Sequence, residues 1–275
     1  MLSSLLTIPE AILLGIVEGI TEFLPVSSTG HLLVVGDLIG FGAGQSGDAA
    51  DAYYVSIQFG AILAVLLLYR NRVASLARGL VGRDPDGRAV LGALVVSFVP
   101  AAAVGVVLGD AIKDALFGPV PVAVAWTAGG LLLLLWRPRQ GVLGLHQLTT
   151  GRCLAVGAAQ CVAMWPGVSR SLVVLVAGLA VGLSLAAAVE FSFLLGVVTL
   201  SAATALDLVR HGGDIVSQFG ILRPAVGGLV AFLTAVVAVR WMVGYLTRRS
   251  LAVFGWYRLV AAGVVVLMLA SGSFT

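Results

Sequence analysis

Residues 18–31 read Glu18-Gly19-Ile20-Thr21-Glu22-Phe23-Leu24-Pro25-Val26-Ser27-Ser28-Thr29-Gly30-His31. Two glutamates one helical turn apart stand in an apolar stretch, and a proline followed by three hydroxyl residues interrupts it. Positions i and i+4 share a helix face, so both carboxylates can address one ligand. Ionisable groups at membrane depth cost roughly 2.5 kcal/mol or more each and mark a functional site by default. The reading of this segment therefore depends on whether the surrounding chain lies in a membrane.

Composition says that it does. The chain has 275 residues, is 60% hydrophobic and 11% charged, and has a mean hydropathy of +1.08. A soluble domain is typically about 25% charged. An all-α polytopic membrane protein follows, with residues 1–275 as a single membrane domain. The net charge is only +3, and Lys113 is the only lysine among sixteen cations. With no basic tail and no aromatic–basic interleaving, a nucleic-acid partner is excluded. Cys153 and Cys161 lie about 12 Å apart on a helix, too far for a disulfide, and read as small apolar fillers. No basic region precedes the first apolar run, and Glu18 and Glu22 would fall inside it, so the N-terminus reads as mature fold rather than a signal peptide.

Apolar runs occur at about 8–24, 29–41, 53–69, 89–109, 120–136, 153–165, 171–183, 188–207, 224–246 and 252–272. Six of these can span a bilayer. The other four are short and form two pairs, joined by Pro25-Val-Ser-Ser-Thr-Gly30 and Pro166-Gly-Val-Ser-Arg-Ser171. Such pairs suit re-entrant hairpins, whose broken backbone must be buried in protein or face a watery cavity.

Arginine placement orients the chain. Arg70, Arg72, Arg78, Arg83 and Arg88 crowd one loop, Arg137, Arg139 and Arg152 a second, and Arg248 and Arg249 a third. The positive-inside rule puts all three in the cytoplasm. Residues 42–52 and loops 110–119 and 208–223 then face outside. Counting spans makes the hairpin at 8–41 enter from outside and that at 153–183 from the cytoplasm. An inverted internal repeat produces this pattern, with repeat 1 at about 1–140 and repeat 2 at about 150–275. Aligning Val26-Ser27 with Val168-Ser169 sets Glu18 against Gln160 and Ser28 against Arg170.

Glu18 and Glu22 suit a divalent cation such as Mg²⁺ or Ca²⁺, which takes carboxylate and phosphate oxygens. Buried-backbone hydrogen bonding and a transporter's proton or cation site are the alternatives. Ser27, Ser28 and Thr29 would sit at the start of a helix, where free N–H groups favour a phosphate. Each hydroxyl reads as a cap or as a nucleophile, Ser27 being the best nucleophile because His31 follows four residues on. His31 would serve as general base or acid, or as a structural hydrogen-bonding group. Arg170 matches phosphate geometry with two parallel donors and is equally a counter-ion for the glutamates. Ser169 and Ser171 add donors or cap the helix that follows. Gln58, Gln160, Glu190 and Asp207 are the other polar groups in apolar surroundings; Glu190 would line the cavity or terminate a helix, and Asp207 would be interfacial. The substrate-binding set is then Ser28, Thr29, Ser169, Ser171, Gln58 and Gln160. No P-loop, zincin motif, G-x-S-x-G elbow or Cys/His cluster is present in the sequence.

At both breaks the sequence closely resembles the undecaprenyl-diphosphatase, or bacitracin-resistance, family of bacterial integral-membrane phosphatases. The matching text is Glu18 to Leu32 and Trp165-Pro-Gly-Val-Ser-Arg-Ser171, with Ile57 to Val65, Glu190 to Leu195 and Ala203 to Leu208 in support. The resemblance implies hydrolysis of undecaprenyl diphosphate to the monophosphate lipid carrier of peptidoglycan synthesis, and with it bacitracin resistance. It implies a multi-pass protein of the bacterial inner membrane, a divalent cation, and a site open to the periplasmic or outer face. It also implies interlocked inverted repeats with two re-entrant hairpins. By position, Glu18 and Glu22 match the family's acidic pair and metal site, and Ser27, His31 and Arg170 its remaining catalytic groups. One departure is visible: the family usually continues with Gly and then Thr, where this chain has Leu172 and Val174.

The expected function is thus a phosphatase acting on a membrane polyprenyl diphosphate, compatible with a homodimer. The alternative is a polyprenyl-phosphate transporter or flippase without hydrolysis, since broken helices at mid-depth also build transporters. A non-hydrolytic lipid-binding partner of the cell-wall machinery is a third, weaker option.

Overall fold

The computed structural model describes residues 6–41, 47–136 and 141–272. Arg137 and Arg139, part of the second basic loop, lie outside the described residues. The helices are α1 (Ile8–Thr21), α2 (Ser28–Leu38), α3 (Gly47–Leu68), α4 (Arg70–Leu80), α5 (Pro85–Leu116), α6 (Pro119–Leu135), α7 (Thr150–Gln160), α8 (Arg170–Ala180), α9 (Leu185–Phe219), α10 (Leu222–Leu246) and α11 (Ala252–Ala270). Among the described residues no β-strand forms. The protein is an all-α, multi-pass membrane protein.

Five helices, α3, α5, α9, α10 and α11, are long and apolar enough to cross a membrane. The sixth expected span, α6, is an apolar helix of 17 residues, at the short end of what a crossing needs. The paired helices α1–α2 and α7–α8 have 14, 11, 11 and 11 residues. At 1.5 Å per residue each is about 21 Å or less, below the roughly 30 Å hydrocarbon thickness.

Local chemistry sets these boundaries. Thr7 and Glu10 cap α1 reciprocally: the Glu10 N–H donates to Thr7 Oγ1 at 3.4 Å and the Thr7 N–H to Glu10 Oε2 at 2.6 Å. Pro25, which has no N–H, stands in the turn after α1. Ser27 caps α2 and Ser169 caps α8.

Two helices differ from the sequence expectation. The basic loop 70–88 contains α4, an amphipathic helix, because its arginines and apolar residues fall on separate faces. The expected outer loop 208–223 is largely helical, since α9 runs on to Phe219 before Gly220, at φ 65°, ends it.

In a bilayer, helices associate through close packing of small residues rather than hydrophobic collapse. Helix α10 lies between α1 and α3 and packs on both. A side chain at Gly19 would collide with the Ala231 carbonyl and Thr234, and one at Gly60 with the Gly228 carbonyl. This close approach seats the α1–α2 pair against the span layer. The buried core gathers Phe23, Leu172, Val174, Phe191 and Phe193 directly behind the two breaks.

Candidate active site

The two breaks meet. Arg170, the first residue of α8, donates from Nη2 to Glu22 Oε1 at 3.0 Å and from Nη1 to the Ser192 carbonyl at 3.1 Å. Its guanidinium also sits 5.6 Å from the Phe23 ring centroid. Glu22 Oε2 accepts hydrogen bonds from the Ser28 hydroxyl and, at 3.4 Å, from Gln58 Nε2. Three donors therefore converge on one buried carboxylate. Glu18, one turn earlier, is completely buried, and no donor reaches either of its oxygens.

The turns that carry the hydroxyls are strained in the same way. Ser27 has φ 74° and Ser169 φ 75°, and among the described residues no other non-glycine residue has positive φ. Such backbone costs about 1–3 kcal/mol and persists only where surroundings fix it. The two serines also share a capping role, Ser27 Oγ accepting from the Gly30 N–H at 3.4 Å and Ser169 Oγ from the Leu172 N–H at 3.3 Å.

One residue fixes both turns, and sequence reasoning passed over it. Arg258 on α11 is fully buried. It donates from Nη1 to the Pro25 carbonyl at 3.2 Å and from Nη2 to the Gly167 carbonyl at 2.8 Å. Each of those carbonyls lies two residues before a strained serine. Further bonds to the carbonyls of Ala125, at 2.8 Å, and Trp126, at 3.4 Å, complete its fork. Ser171 adds a second tie, donating to the Leu24 carbonyl at 2.7 Å and sharing a hydrogen bond with Ser169 at 2.9 Å.

A cavity of about 610 Å³ opens over this junction. Glu22, Ser27, Ser28, Thr29, Gln58, Gln160, Ser169 and Arg170 all face it. Glu18, His31 and Ser171 do not line it. Gln160 has 2% of its surface exposed, and both polar atoms of its amide lack a hydrogen-bond partner.

His31 departs from the expected pairing with the Ser27 hydroxyl. Its Nδ1 lies 2.7 Å from the Ser27 carbonyl and its Nε2 2.7 Å from the Tyr257 hydroxyl. A carbonyl only accepts, so Nδ1 carries the proton and Nε2 accepts from Tyr257. Spacing alone could not separate the hydroxyl of Ser27 from its carbonyl. Glu190 neither lines the cavity nor ends a helix; its Oε1 pairs with Arg72 Nε at 2.6 Å.

The family profile of bacitracin resistance protein BacA matches residues 11–265. The chain belongs to the BacA family. It is 46% identical over 267 residues to an undecaprenyl-diphosphatase of Sorangium cellulosum, covering 94% of this chain and 85% of that protein. It is 45% identical over 262 residues to undecaprenyl-diphosphatase 2 of Rhodospirillum rubrum, covering 94% and 93% of the two chains. With undecaprenyl-diphosphatase 1 of Chromobacterium violaceum the identity is 42% over 261 residues, covering 94% of each.

The departure from the BacA pattern at Leu172 and Val174 is absorbed by packing. Both side chains are buried in the apolar core behind the site, at 2% and 0% exposure, and neither faces the cavity. No hydroxyl is missing from the cavity wall at these positions.

The residues present fit a divalent cation. Glu18 and Glu22 set two carboxylates side by side against one arginine, and Glu18 offers two buried oxygens that no protein donor uses. Among the described residues no cluster of three His, Cys, Asp or Glu side chains forms. A cation here would complete its shell with hydroxyl, amide, water and phosphate oxygens, as Mg²⁺ and Ca²⁺ do.

Proposed function

We propose that the chain hydrolyses undecaprenyl diphosphate, with consumption of water, to undecaprenyl phosphate and inorganic phosphate, returning the lipid carrier to peptidoglycan synthesis. The observation that carries this reading is the Arg170–Glu22 contact at the floor of the cavity, where both signs of charge meet among hydroxyls. The names of relatives over 40% identical along nearly the whole chain support it.

Each group then has a role set by its geometry. Arg170, with Nη2 on Glu22 and Nη1 on a carbonyl, is held rigidly and presents positive charge to phosphate oxygens. Ser27, Ser28, Thr29, Ser169, Gln58 and Gln160 surround the diphosphate with hydroxyl and amide groups. Ser27 Oγ meets the terminal phosphorus as nucleophile or orients the attacking water. His31 acts on Ser27 through its carbonyl and is a positioning residue in this arrangement. Glu18 and Glu22 would hold a divalent cation. When bound, that cation neutralises charge developing on the phosphate oxygens.

The protein belongs in the bacterial inner membrane in this reading. The cavity reaches Asp110 and Arg210 at the ends of α5 and α9 that the basic loops assign to the periplasmic or outer side. The matched strain and capping at Ser27 and Ser169, bridged by Arg258, support the inverted repeat. All assigned groups come from one chain, so the site does not require a homodimer.

Purified protein in detergent, given undecaprenyl diphosphate and Mg²⁺ or Ca²⁺, should release inorganic phosphate. Detergent has no two compartments, so a pure transporter would release none, and that outcome would overturn the reading.

A further inference from the structure

A second cavity, of about 410 Å³, lies between α5 and α7 at the end that the basic loops assign to the cytoplasm. Its α5 wall carries Arg88, Gly92 and Val96 along one helix face, and Leu148 and Thr150 stand across from them. It is separate from the catalytic cavity. Between the two, the Ser97 hydroxyl donates to the Cys153 carbonyl at 2.9 Å, and a side chain at Gly157 would collide with the Ser97 carbonyl. The α5 wall is open, since a side chain at Gly92 would meet nothing within 4 Å. Arg88 at the mouth is exposed. Arg72 and Arg78 pair with Glu190 and Asp84, whereas Arg88 has no ion pair among the described residues. Beyond the polar mouth the surface is apolar: Val95 and Val99 continue the Gly92 face of α5, Leu154 continues α7, and all three are exposed. From Arg88 to Val99 the path runs about 17 Å at 1.5 Å per residue, close to one leaflet's half of a roughly 30 Å hydrocarbon core.

We infer that the cavity between α5 and α7 binds an anionic phospholipid of the cytoplasmic leaflet, with its phosphate on Arg88 and Thr150 and one acyl chain along Gly92, Val95 and Val99. The occupant follows from charge and depth together. A guanidinium presents parallel donors that match phosphate oxygens, and the Thr150 hydroxyl adds another donor. The exposed Arg83 nearby strengthens the positive field, which suits the anionic lipids of the cytoplasmic leaflet. A soluble anion would use only the mouth and leave the apolar wall uncovered. A zwitterionic lipid would bring its own cation toward the arginines. A lipid with net negative charge satisfies both parts of the groove. Seated there, it braces α5 against α7, whose farther residues Phe98 and Gln160 line the catalytic cavity.

The test is lipid retention by the purified full chain in detergent, read by native mass spectrometry with phosphatidylglycerol, with phosphatidylcholine of the same chains, and with inorganic phosphate as competitor. Wild type should hold phosphatidylglycerol about 10-fold or more tightly than phosphatidylcholine, and excess inorganic phosphate should not displace it. Arg88→Gln should weaken phosphatidylglycerol binding by about 10-fold, the scale of one hydrogen bond to a charged group. Gly92→Leu keeps every charge and fills the groove, and leucine favours a helix, so folding is spared. It should weaken binding as much as Arg88→Gln does. Arg83→Gln makes the same charge change outside the cavity and should stay near wild type. Equal weakening by Arg83→Gln would reduce the site to diffuse surface charge, and wild-type binding by Gly92→Leu would leave the groove without a role; either result would overturn the assignment. So would equal retention of the two lipids. Displacement by inorganic phosphate would mark a soluble-anion site and refute the lipid.

Discussion

Arg170 Nη2 lies 3.0 Å from Glu22 Oε1 across 148 residues of sequence. The two come from separate helix breaks, so neither break can shift without the other. Removing one partner leaves a buried charge unpaired, which costs about 3–5 kcal/mol, far more than an exposed pair is worth. A double-mutant cycle of Glu22→Gln and Arg170→Ala, read by chemical unfolding in detergent, should show each single variant destabilised and a coupling of at least about 1 kcal/mol. Additive effects would mean that the contact does not join the breaks.

Arg258 should matter as much to the site as any residue facing the cavity. Arg258→Met strips donors from four buried carbonyls, two of which anchor the strained turns. Unmade buried hydrogen bonds cost about 1–3 kcal/mol each, so a loss of at least about 3 kcal/mol is expected. Phosphate release should fall even well below the melting temperature, and Arg258→Lys should recover only part of it. Full activity in Arg258→Met would show that the turns hold their shape unaided.

The strain at Ser169 predicts an inverted ranking of two simple variants. Glycine accepts positive φ freely and costs a cap only a few tenths of a kcal/mol, whereas alanine keeps the strain and loses the cap, about 1 kcal/mol. Ser169→Gly should therefore melt at or above the wild-type temperature and Ser169→Ala below it. The reverse order would remove the case for strain.

Much of this was legible in sequence. Each of the ten apolar runs reappears as a helix, though α3, α5 and α9 extend well past the runs at 53–69, 89–109 and 188–207, because a bilayer admits only self-satisfied backbone and length then decides what spans. The meeting of Glu22 with Arg170 was expected from two breaks entering from opposite faces. Arg258 was not, although a charged side chain inside the run 252–272 was itself a signal, given what such a group costs at membrane depth. Its partners are backbone carbonyls from three remote stretches, and no side-chain pattern announces those. The helix α4 was hidden because eleven arginine-rich residues between spans also read as a basic loop. That Asp110 and Arg210 share the cavity depends on how two long helices pack, which no local pattern encodes.

Glu18 gives a prediction about the cation. Its buried carboxyl has no donor and stands beside Glu22, so Glu18→Gln takes a second ionisable group out of a buried carboxyl pair while weakening the site. In chelator the variant should melt above wild type. Its half-saturating Mg²⁺ concentration for phosphate release should rise at least about 10-fold, the scale seen even for changes outside the inner shell. An unchanged cation requirement would separate Glu18 from the metal.

The loop before α5 supplies a pH signature. Asp84 caps α5, accepting from the Gly87 N–H at 2.8 Å, and takes a hydrogen bond from the Ser75 hydroxyl at 2.7 Å. These bonds, helped by Arg78, hold its carboxyl below the usual carboxylate range. A depressed folded value means the stabilisation is present above the unfolded value, near pH 4, and is lost as pH falls through the folded one. Wild type should thus lose more thermal stability between pH 6 and pH 3 than Asp84→Asn does. Equal losses would show that the cap is not linked to protonation.

The most direct test of the central claim is phosphate release from undecaprenyl diphosphate by purified wild-type protein and by Arg170→Ala, both shown folded in the same detergent with saturating cation. Wild type should turn over and Arg170→Ala should fall at least about 100-fold, as expected for removal of a preorganised charge at the reacting phosphate. Turnover by Arg170→Ala within a few-fold of wild type would contradict the account.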